Sequence, residues 1–313
     1  MHTDKKLVSV VVPIYNEVQM VVEIYNRVDN VFKNIGKYNY ELVFFDDGSF
    51  DGTREAIENL VIEHSNVKGV FYSRNFGYLK STFYSMQQAK GDCAVILHAD
   101  LQNPPEVIPE FIDKWEKGAH VVLGVKNKSR ENRFVYFLRT VFYFIMIRFF
   151  GLELTPHATE FELFDKSFIE ILRGIHTPIP FLRGIVSEYS SKKDVVFYTQ
   201  DARKKGKSKF NLNKYYDFAI CGIVQYSAKI PRKCILLNLI GIIGSLFELL
   251  FLFLPEIQNL SVIEISNGIL LRVIVLILLA LFIFFAVVFE YVIFVAKNVG
   301  DKPIIVEEKR INY

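Results

Sequence analysis

The sequence predicts an α/β domain with a mostly parallel sheet and helices on both faces, followed by two membrane-spanning helices. Strand-like and helix-like segments alternate along the first part of the chain, which is typical of parallel sheets. Two apolar runs follow, Cys234–Leu254 and Ile269–Ala296. Each run is long enough to cross a hydrocarbon layer about 30 Å thick, for which about 20 apolar residues are needed.

The alternating segments are recognised by their composition and periodicity. Leu7–Ile14 is a nearly continuous Val-rich run, as expected of a strand that is buried on both faces. Further strands are predicted at Glu41–Phe45, Val67–Tyr72, Cys93–Leu97 and His120–Gly124. Helices are predicted between them at Val18–Ile35, Thr53–Glu63, Phe76–Ala89 and Pro105–Lys117.

Later segments predict contact with a membrane. Phe134–Phe150 is rich in Phe and Tyr, and its two arginines, Arg139 and Arg148, can extend into the headgroup layer. An interfacial helix is therefore favoured there over a core helix. The expected boundaries are residues 1–210 for the α/β domain, 211–233 for a juxtamembrane helix, 234–296 for the two spans with a short external loop, and 297–313 for a tail.

The charges that flank the two spans predict their orientation. Basic residues precede the first span and follow the second: Lys229, Arg232, Lys233, Lys297 and Lys302. The loop between the spans, Pro255–Gly268, contains neither Lys nor Arg. Because cytoplasmic segments carry the excess of Lys and Arg, both termini are expected in the cytoplasm. The tail contains a strand-like run, Pro303–Val306, which either pairs with a neighbouring subunit or belongs to a disordered end.

Charge and cysteine content narrow the classes of protein. The net charge is only +3, which gives no general footprint for nucleic acid. Basic residues concentrate instead between Lys192 and Lys214, either as a solvated loop or as a patch for phosphate or anionic headgroups. The three cysteines, Cys93, Cys221 and Cys234, form no CxxC pair and are interpreted as reduced packing residues.

Polar clusters follow four consecutive predicted strands. They are Asn16-Glu17, Asp46-Asp47, Arg74-Asn75 and Asp100-Leu101-Gln102. Any one of them can be ordinary turn chemistry, since Asn and Asp favour turns. Together they predict a ligand site, because open α/β sheets bind their ligands at the carboxyl ends of the strands.

Four stretches resemble the motif series of inverting family 2 glycosyltransferases. They are VVPIYNE (Val11–Glu17), DDGSFDGT (Asp46–Thr53), SRNFGYLKS (Ser73–Ser81) and HADLQNPPE (His98–Glu106). More narrowly, the chain resembles the polyprenyl-phosphate glycosyltransferases, relatives of dolichol-phosphate mannose synthase and of bacterial polyisoprenyl-phosphate glucosyltransferases. FLRG (Phe181–Gly184) and the segment Arg203–Phe210 add to this resemblance.

The resemblance implies a GT-A domain that moves a hexose from a nucleoside-diphosphate sugar to a polyprenyl phosphate on the cytoplasmic leaflet. UDP-glucose is the favoured donor, because the two-span architecture resembles the glucosyltransferase branch, and GDP-mannose is the alternative. It also implies an integral protein of the bacterial inner membrane that forms a homo-oligomer, a tetramer in the family, and binds no nucleic acid. The cofactor implied is a divalent metal, Mg²⁺ or Mn²⁺, bridging the donor phosphates.

Carried over position by position, the resemblance also implies the site residues. Metal ligands would be His98, Asp100 and Gln102, and catalytic residues would be Asp100 and Glu160. Nucleotide-sugar binding would fall to Pro13, Tyr15, Glu17, Asp46, Asp47, Arg74 and Asp100. The acceptor phosphate would be held by Arg183, Arg203 and Lys209, with Lys126 and Arg139 as looser matches. For Asp46 and Ser49, a structural role as caps of the following helix is an alternative.

Three positions depart from the family pattern. His98 stands where the family usually has Asp, which removes a negative charge from the metal site. Glu160-Phe161-Glu162-Leu163 stands for Asp-Phe-Arg-Leu, so that Glu162 reverses the usual charge. Asn103 replaces a common Asp in a turn that either residue can form. The departures favour an altered sugar or metal preference; the alternative is a degenerate paralogue acting as a membrane scaffold.

A processive polysaccharide synthase is a further alternative within the enzymes. Those proteins share the first motifs but usually carry a QxxRW signature and more membrane spans. The single tryptophan of this chain, Trp115, follows Lys114. The signature is therefore missing from the sequence.

Overall fold

A computed structural model of the chain describes residues 5–128, 154–201, 262–298 and 303–313, with scattered positions within 140–148 and 222–247. The chain divides into two compact units. One contains residues 1–147, 153–216 and 301–313, and the other contains 148–152 and 217–300. The predicted interfacial helix Phe134–Phe150, the segment 211–233 and the first apolar run lie largely outside the described residues.

The first unit is built on one eight-stranded sheet. Its strands, in chain order, are β1 Leu7–Ile14, β2 Asn39–Asp46, β3 Val67–Tyr72, β4 Cys93–Ile96, β5 Val121–Lys128, β6 Ala158–Asp165, β7 Lys193–Thr199 and β8 Glu307–Ile311. Their spatial order is β7-β5-β6-β4-β1-β2-β3-β8. β1 pairs in parallel with β2 and β4, β2 with β3, and β5 with β7. β6 and β8 run antiparallel to their neighbours. The predicted mostly parallel sheet is confirmed.

Helices cover both faces of this sheet. They are α1 Val21–Ile35, α2 Thr53–Glu63, α3 Tyr78–Gln88, α4 Ile108–Glu116, α5 Lys166–Gly174 and α6 Leu182–Tyr189. The alternating residues Val8, Val10 and Val12 of β1 share a core with α1, α2 and α4. Val11 is equally buried but lies outside that core, on the face toward which α3 packs. Burial on both faces explains the unbroken Val-rich run.

Three helix starts differ from their predicted positions. The helix predicted from Val18 begins with a 3₁₀ turn, Val18–Met20, and becomes α-helical at Val21. α3 begins at Tyr78 rather than Phe76, because the backbone N–H groups of Phe76 and Gly77 donate to the carboxylate of Asp47. The helix predicted from Pro105 begins with a 3₁₀ turn, Pro105–Val107, and becomes α-helical at Ile108. Short 3₁₀ turns are common at helix ends.

The tail forms the edge strand of the first unit, which corrects both predictions made for it. β8 pairs antiparallel with β3 of the same chain, with Val70 opposite Arg310 and Phe71 opposite Lys309. The strand begins at Glu307, after the Pro303–Val306 run, although the N–H of Ser73 already donates to the carbonyl of Val306 at 3.0 Å. The signal was missed because an edge strand exposed to water needs no apolar pattern.

Contacts of Tyr313 stabilise the end of β8. Its hydroxyl donates to the carbonyl of Gln88. Its ring lies 4.1 Å from the ammonium of Lys90 and 4.5 Å from the guanidinium of Arg310. Cations over an aromatic face are attracted by its quadrupole, so these contacts stabilise the paired strand.

In the second unit, the structure describes one long helix, α7 Val262–Asn298. Its segment Val273–Ala296 contains 24 residues, and the most apolar stretch of 18 among them has a mean hydropathy of 3.2 and is mostly exposed. By length and composition this segment can cross a membrane, as predicted for the second apolar run. The first run, Cys234–Leu254, is not tested because most of it lies outside the described residues.

Replacing Tyr313 by Ala should loosen β8 without unfolding the domain. Loss of the ring removes its cation contacts and the bond to Gln88, together worth about 1–2 kcal/mol. Amide hydrogen exchange should therefore quicken in residues 307–311 while β1 and β2 keep their protection. The control is Phe197→Ala, which removes an exposed aromatic from the opposite edge strand. Equal exchange of β8 in both variants would contradict this role of Tyr313.

Candidate active site

The loops after β1 and β2 are joined by reciprocal hydrogen bonds. The N–H of Asn16 donates to Ser49 Oγ at 2.8 Å, and the N–H of Phe50 donates to Asn16 Oδ1 at 2.9 Å. The N–H of Glu17 donates to Thr53 Oγ1 at 3.0 Å. Asn16 has a φ of 52°, a left-handed conformation that Asn tolerates better than most residues. The first two predicted polar clusters therefore form one surface.

Asp46 organises the loop after β2 from within. Its carboxylate is fully buried and accepts the N–H of Ser49 at 3.1 Å. Arg54 Nε lies 3.6 Å from Asp46 Oδ2, too far for a hydrogen bond but close enough for attraction. Burial raises the pKa of Asp46, while the bonds from Ser49 and the charge of Arg54 oppose the rise. At the start of α2, Asp51 accepts the N–H of Thr53, the first residue of the helix, at 3.1 Å.

Asp47 connects the β2 loop to the loop after β3. Its two carboxylate oxygens accept the N–H of Phe76 at 2.6 Å and that of Gly77 at 2.9 Å. Burial raises its pKa to about 6, although both backbone bonds lower it. Both oxygens thus accept backbone N–H groups, which holds the loop after β3 against the end of β2.

The other residues predicted to bind the nucleotide sugar are more accessible to solvent than Asp46 and Asp47. Pro13, Tyr15 and Glu17 are partly buried at the end of β1. The ring of Tyr15 meets that of Phe50 edge-on with 6.2 Å between centroids, and Phe50 is 81% exposed. Arg74 is exposed, with its guanidinium 4.8 Å from the centroid of the Phe76 ring. A negatively charged ligand can therefore reach Arg74 from solvent.

The loop after β4 is a tight turn that presents Asp100. Asp100 Oδ1 accepts the N–H of Gln102 at 3.1 Å, and Leu101 adopts a left-handed φ of 50°. His98 Nε2 hydrogen-bonds the hydroxyl of Tyr78 at 3.1 Å. Asn103 Oδ1 accepts the hydroxyl of Tyr198 at 2.6 Å, so this side chain contacts β7 in addition to standing in the turn.

Tyr78 is a functional candidate that sequence reasoning missed, although it lies inside the SRNFGYLKS motif. Besides bonding His98, its phenol interacts electrostatically with Glu160. It therefore connects the β4 loop to β6. The available signal was a hydroxyl-bearing residue directly after the glycine that precedes a helix.

β6 carries two buried carboxyl groups on one face. Glu160 and Glu162 alternate along the strand and are 3% and 1% exposed. Arg183, from α6, places Nε 3.3 Å from Glu160 Oε1 and donates from Nη1 to the hydroxyl of Tyr143 at 3.0 Å. Arg183 therefore supplies a positive charge where Glu162 has reversed the usual one. Burial lowers the pKa of Arg183, but its neighbours raise the pKa by more, so the net shift is upward. These neighbours are Tyr143, Glu160, Glu162 and Tyr78.

Glu162 is held in its neutral form at neutral pH. Its Oε2 is buried and has no hydrogen-bond partner among the described residues. Burial raises the pKa to about 8, the charge of Glu160 adds to the rise, and Arg183 opposes it. The departure from the family pattern is therefore milder than the sequence suggests, since a protonated Glu162 adds no second negative charge.

The structure describes only part of the set of residues predicted to hold the acceptor phosphate. Lys126 lies on β5, where its N–H donates to the carbonyl of His157 at 3.3 Å. Arg139, Arg203 and Lys209 lie outside the described residues. Within the described part of the chain, no group of three or more His, Cys, Asp or Glu is arranged to hold a metal. The predicted set of His98, Asp100 and Gln102 contains one carboxylate.

Gly48→Ala should destabilise the domain more than Gly52→Ala. Both glycines have positive φ, 72° and 94°, so both substitutions introduce backbone strain of about 1–2 kcal/mol. A Cβ at Gly48 would also lie 2.6 Å from the backbone carbon of Arg74, whereas one at Gly52 meets Val18 at an ordinary 3.7 Å. Thermal unfolding of the purified variants measures the difference. Equal Tm values would show that the two loops need not approach so closely.

Glu162→Gln should remove a pH dependence of stability. The folded-state pKa of about 8 lies above the unfolded value of about 4.3, so the folded chain holds a proton that the unfolded chain has lost. This contribution is full below pH ~4.3 and is lost as the pH rises toward 8, on the order of 5 kcal/mol in total.

The Tm of the unaltered protein should therefore fall between pH 6 and 9, and that of Glu162→Gln should fall less. Glu170→Gln on α5, an exposed carboxylate, is the control and should follow the unaltered protein. Parallel pH profiles for Glu162→Gln and the unaltered protein would show that Glu162 ionises normally.

Comparison with known proteins shows which protein family these loops belong to. The family described as Glycosyl transferase family 2 matches residues 9–190. The uncharacterized glycosyltransferase YkcC of Bacillus subtilis is 31% identical over 310 residues, covering 96% of this chain and 93% of that protein. The bactoprenol glucosyl transferase of Shigella phage SfV is 32% identical over 221 residues, covering 70% and 72%.

Among solved structures, glucosyl-3-phosphoglycerate synthase from Mycobacterium tuberculosis in complex with UDP aligns with a TM-score of 0.48 at 17% identity, covering 68% of this chain and 76% of that one. TarS of S. aureus in complex with UDP-GlcNAc aligns with a TM-score of 0.45 at 16% identity, covering 69% and 65%. The family match spans the loops after β1 to β4 as well as Glu160 and Arg183. This chain belongs to glycosyl transferase family 2 and is a glycosyltransferase.

Proposed function

We propose that this enzyme moves a hexose from a nucleoside-diphosphate sugar, UDP-glucose first, to a polyprenyl phosphate at the cytoplasmic face of the bacterial inner membrane. The observation that carries the proposal is the hydrogen-bonded edge formed by the loops after β1, β2 and β3, beside the turn that presents Asp100. The relatives named bactoprenol glucosyl transferase support the lipid acceptor and the sugar. The apolar segment Val273–Ala296 supports a membrane location.

The donor would lie along this edge. The partly buried Tyr15 and Glu17 would contact the nucleoside, and Asp46 and Asp47 would act by holding the loops in place. The exposed guanidinium of Arg74 would attract the diphosphate. Carboxylate and amide oxygens can accept bonds from ribose hydroxyls, so Glu17 is suited to a sugar contact.

The donor atoms at the β4 turn fit a divalent cation. The described hydrogen bond of Asp100 uses Oδ1, which leaves Oδ2 for a ligand bond. Mg²⁺ sites that carry phosphates usually have one or two protein carboxylates and several waters, so Asp100 with Gln102 suffices. His98 as a further ligand would suit Mn²⁺ better than Mg²⁺. When bound, the cation would neutralise charge that develops on the leaving diphosphate.

The acceptor would need positioning rather than deprotonation, because a phosphate monoester is already ionised at neutral pH. Arg183 is the described candidate for this role, since its guanidinium is fixed by Glu160 and Tyr143. Glu160, paired with Arg183, would orient that guanidinium. Further contacts to the acceptor phosphate are proposed for Arg203, Lys209, Arg139 and Lys126. The enzyme is also proposed to assemble into a homo-oligomer. Orientation of the reacting groups can contribute a large part of the rate.

The test is transfer of label from a nucleotide sugar into lipid. Full-length protein in lipid bilayers is given a polyprenyl phosphate, Mn²⁺ or Mg²⁺, and radiolabelled UDP-glucose or GDP-mannose in separate reactions. Label from UDP-glucose is expected in the organic phase. Label from GDP-mannose alone would replace the donor with the alternative. No transfer from any donor, with no donor binding, would favour the scaffold reading of His98 and Glu162 for this chain.

Asp100→Asn should reduce kcat/KM at least about 100-fold, because the cation and the diphosphate lose their charged partner. The control is Asp113→Asn on α4, which removes an exposed carboxylate paired with Lys117 and should leave transfer unchanged. Transfer by Asp100→Asn at the rate of the control would show that the β4 turn is not the reacting centre.

A further inference from the structure

The edge strand β8 reaches the loops of the donor site through a short series of polar contacts. Glu308 Oε2 accepts a hydrogen bond from Arg54 Nη1 at 3.0 Å. Arg54 Nε lies 3.6 Å from Asp46 Oδ2. Asp46 accepts the N–H of Ser49 at 3.1 Å, and Ser49 Oγ accepts the N–H of Asn16 at 2.8 Å. The series thus runs from β8 to the end of β1.

Arg54 is the central member of this series and is held in several ways. Arg54 is the second residue of α2, and its Nη2 donates to the carbonyl of Tyr72, the last residue of β3, at 3.2 Å. Its guanidinium also lies 5.4 Å from the centroid of the Phe71 ring. The side chain is only 27% exposed. Its charge therefore acts on Asp46 in surroundings that screen it less than bulk water does.

Asp46 depends on a positive neighbour because its carboxylate is fully buried. A buried carboxylate without partners is costly, and it either takes up a proton or moves toward water. Protonation would weaken the bond from the N–H of Ser49, and movement would break it, so either change would alter the loop that meets Asn16. The charge of Arg54, with the bond from Ser49, opposes both changes.

We propose that β8 is a positioning element of the donor site, in which Glu308 orients Arg54 against Asp46 and thereby fixes the loops after β1 and β2. The ligand affected is the nucleoside diphosphate of the donor. The inference rests on the proposed function, because it assigns those loops to donor binding. It gives residues 307–311, which follow the apolar helix in the chain, a part in donor affinity.

β8 offers a matched pair of side chains for the test. Glu308 and the adjacent Lys309 are similarly exposed, at 53% and 55%, and both form ion pairs with α2. Lys309 Nζ contacts Glu58 Oε1 at 3.0 Å, a residue with no described contact to Asp46. Glu308→Gln and Lys309→Gln therefore break equivalent surface pairs of the same strand, and only the first belongs to the series.

The measurement is the affinity of full-length protein in lipid for UDP and for GDP with Mn²⁺, by calorimetry, together with KM and kcat for the active donor. Glu308→Gln should weaken binding of the diphosphate and raise the donor KM about two- to five-fold, as expected of a partly exposed ion pair, with kcat retained. Lys309→Gln should match the unaltered protein. Both variants should have similar Tm values, which separates positioning from general stability.

A double substitution tests the route. Arg54→Gln should weaken donor binding about ten-fold, since it leaves Asp46 without its cation. Adding Glu308→Gln to Arg54→Gln should then have no further effect, because both act through one guanidinium. Additive losses, or unaltered affinity in Glu308→Gln, would overturn this inference and leave the proposed function standing. Failure of the unaltered protein to bind either diphosphate would overturn both.

Discussion

Asp46 and Asp47 end strand β2 with two adjacent carboxylates that are almost fully withdrawn from water. Buried charges must be partnered or neutralised, and the surrounding loops are arranged to do so. Ser49 and Arg54 serve Asp46, and the backbone of Phe76 and Gly77 serves Asp47. Because these partners come from the loop after β2, from α2 and from the loop after β3, this requirement fixes the loops after β2 and β3 and, through Ser49, the loop after β1.

The second acidic pair, Glu160 and Glu162 on β6, is stabilised in a different way. Glu160 pairs with Arg183, while burial keeps Glu162 protonated. One cation and one proton together accommodate two carboxyl groups in the place where the family pattern has Asp and Arg. The fold accommodates the charge reversal because Glu162 is protonated and Arg183 of α6 places a positive charge beside Glu160.

The sequence predicted the parallel part of the sheet because strands buried on both faces require continuous apolar residues. β1 is the clearest case, with Val8, Val10, Val11 and Val12 fully buried. The positions of the polar loops followed from the same strands. β8 escaped prediction because Glu307–Ile311 is mostly charged, and its pairing is set by the open edge of β3 rather than by apolar contact. The contacts of Asp47 with the loop after β3 and of Tyr78 with His98 were not predicted, since they join loops that are distant in the chain.

The pairing of β8 with β3 has a consequence for biosynthesis. During translation, β3 emerges long before the strand that completes its edge, and the apolar helix α7 is made between the two. The nascent sheet therefore keeps an open edge while α7 is synthesised, and an open edge is the arrangement most exposed to wrong pairing with other chains. Release of residues 307–311 closes that edge, so a ribosome that stalls within or just after α7 leaves a sheet that can still pair with strands of other chains.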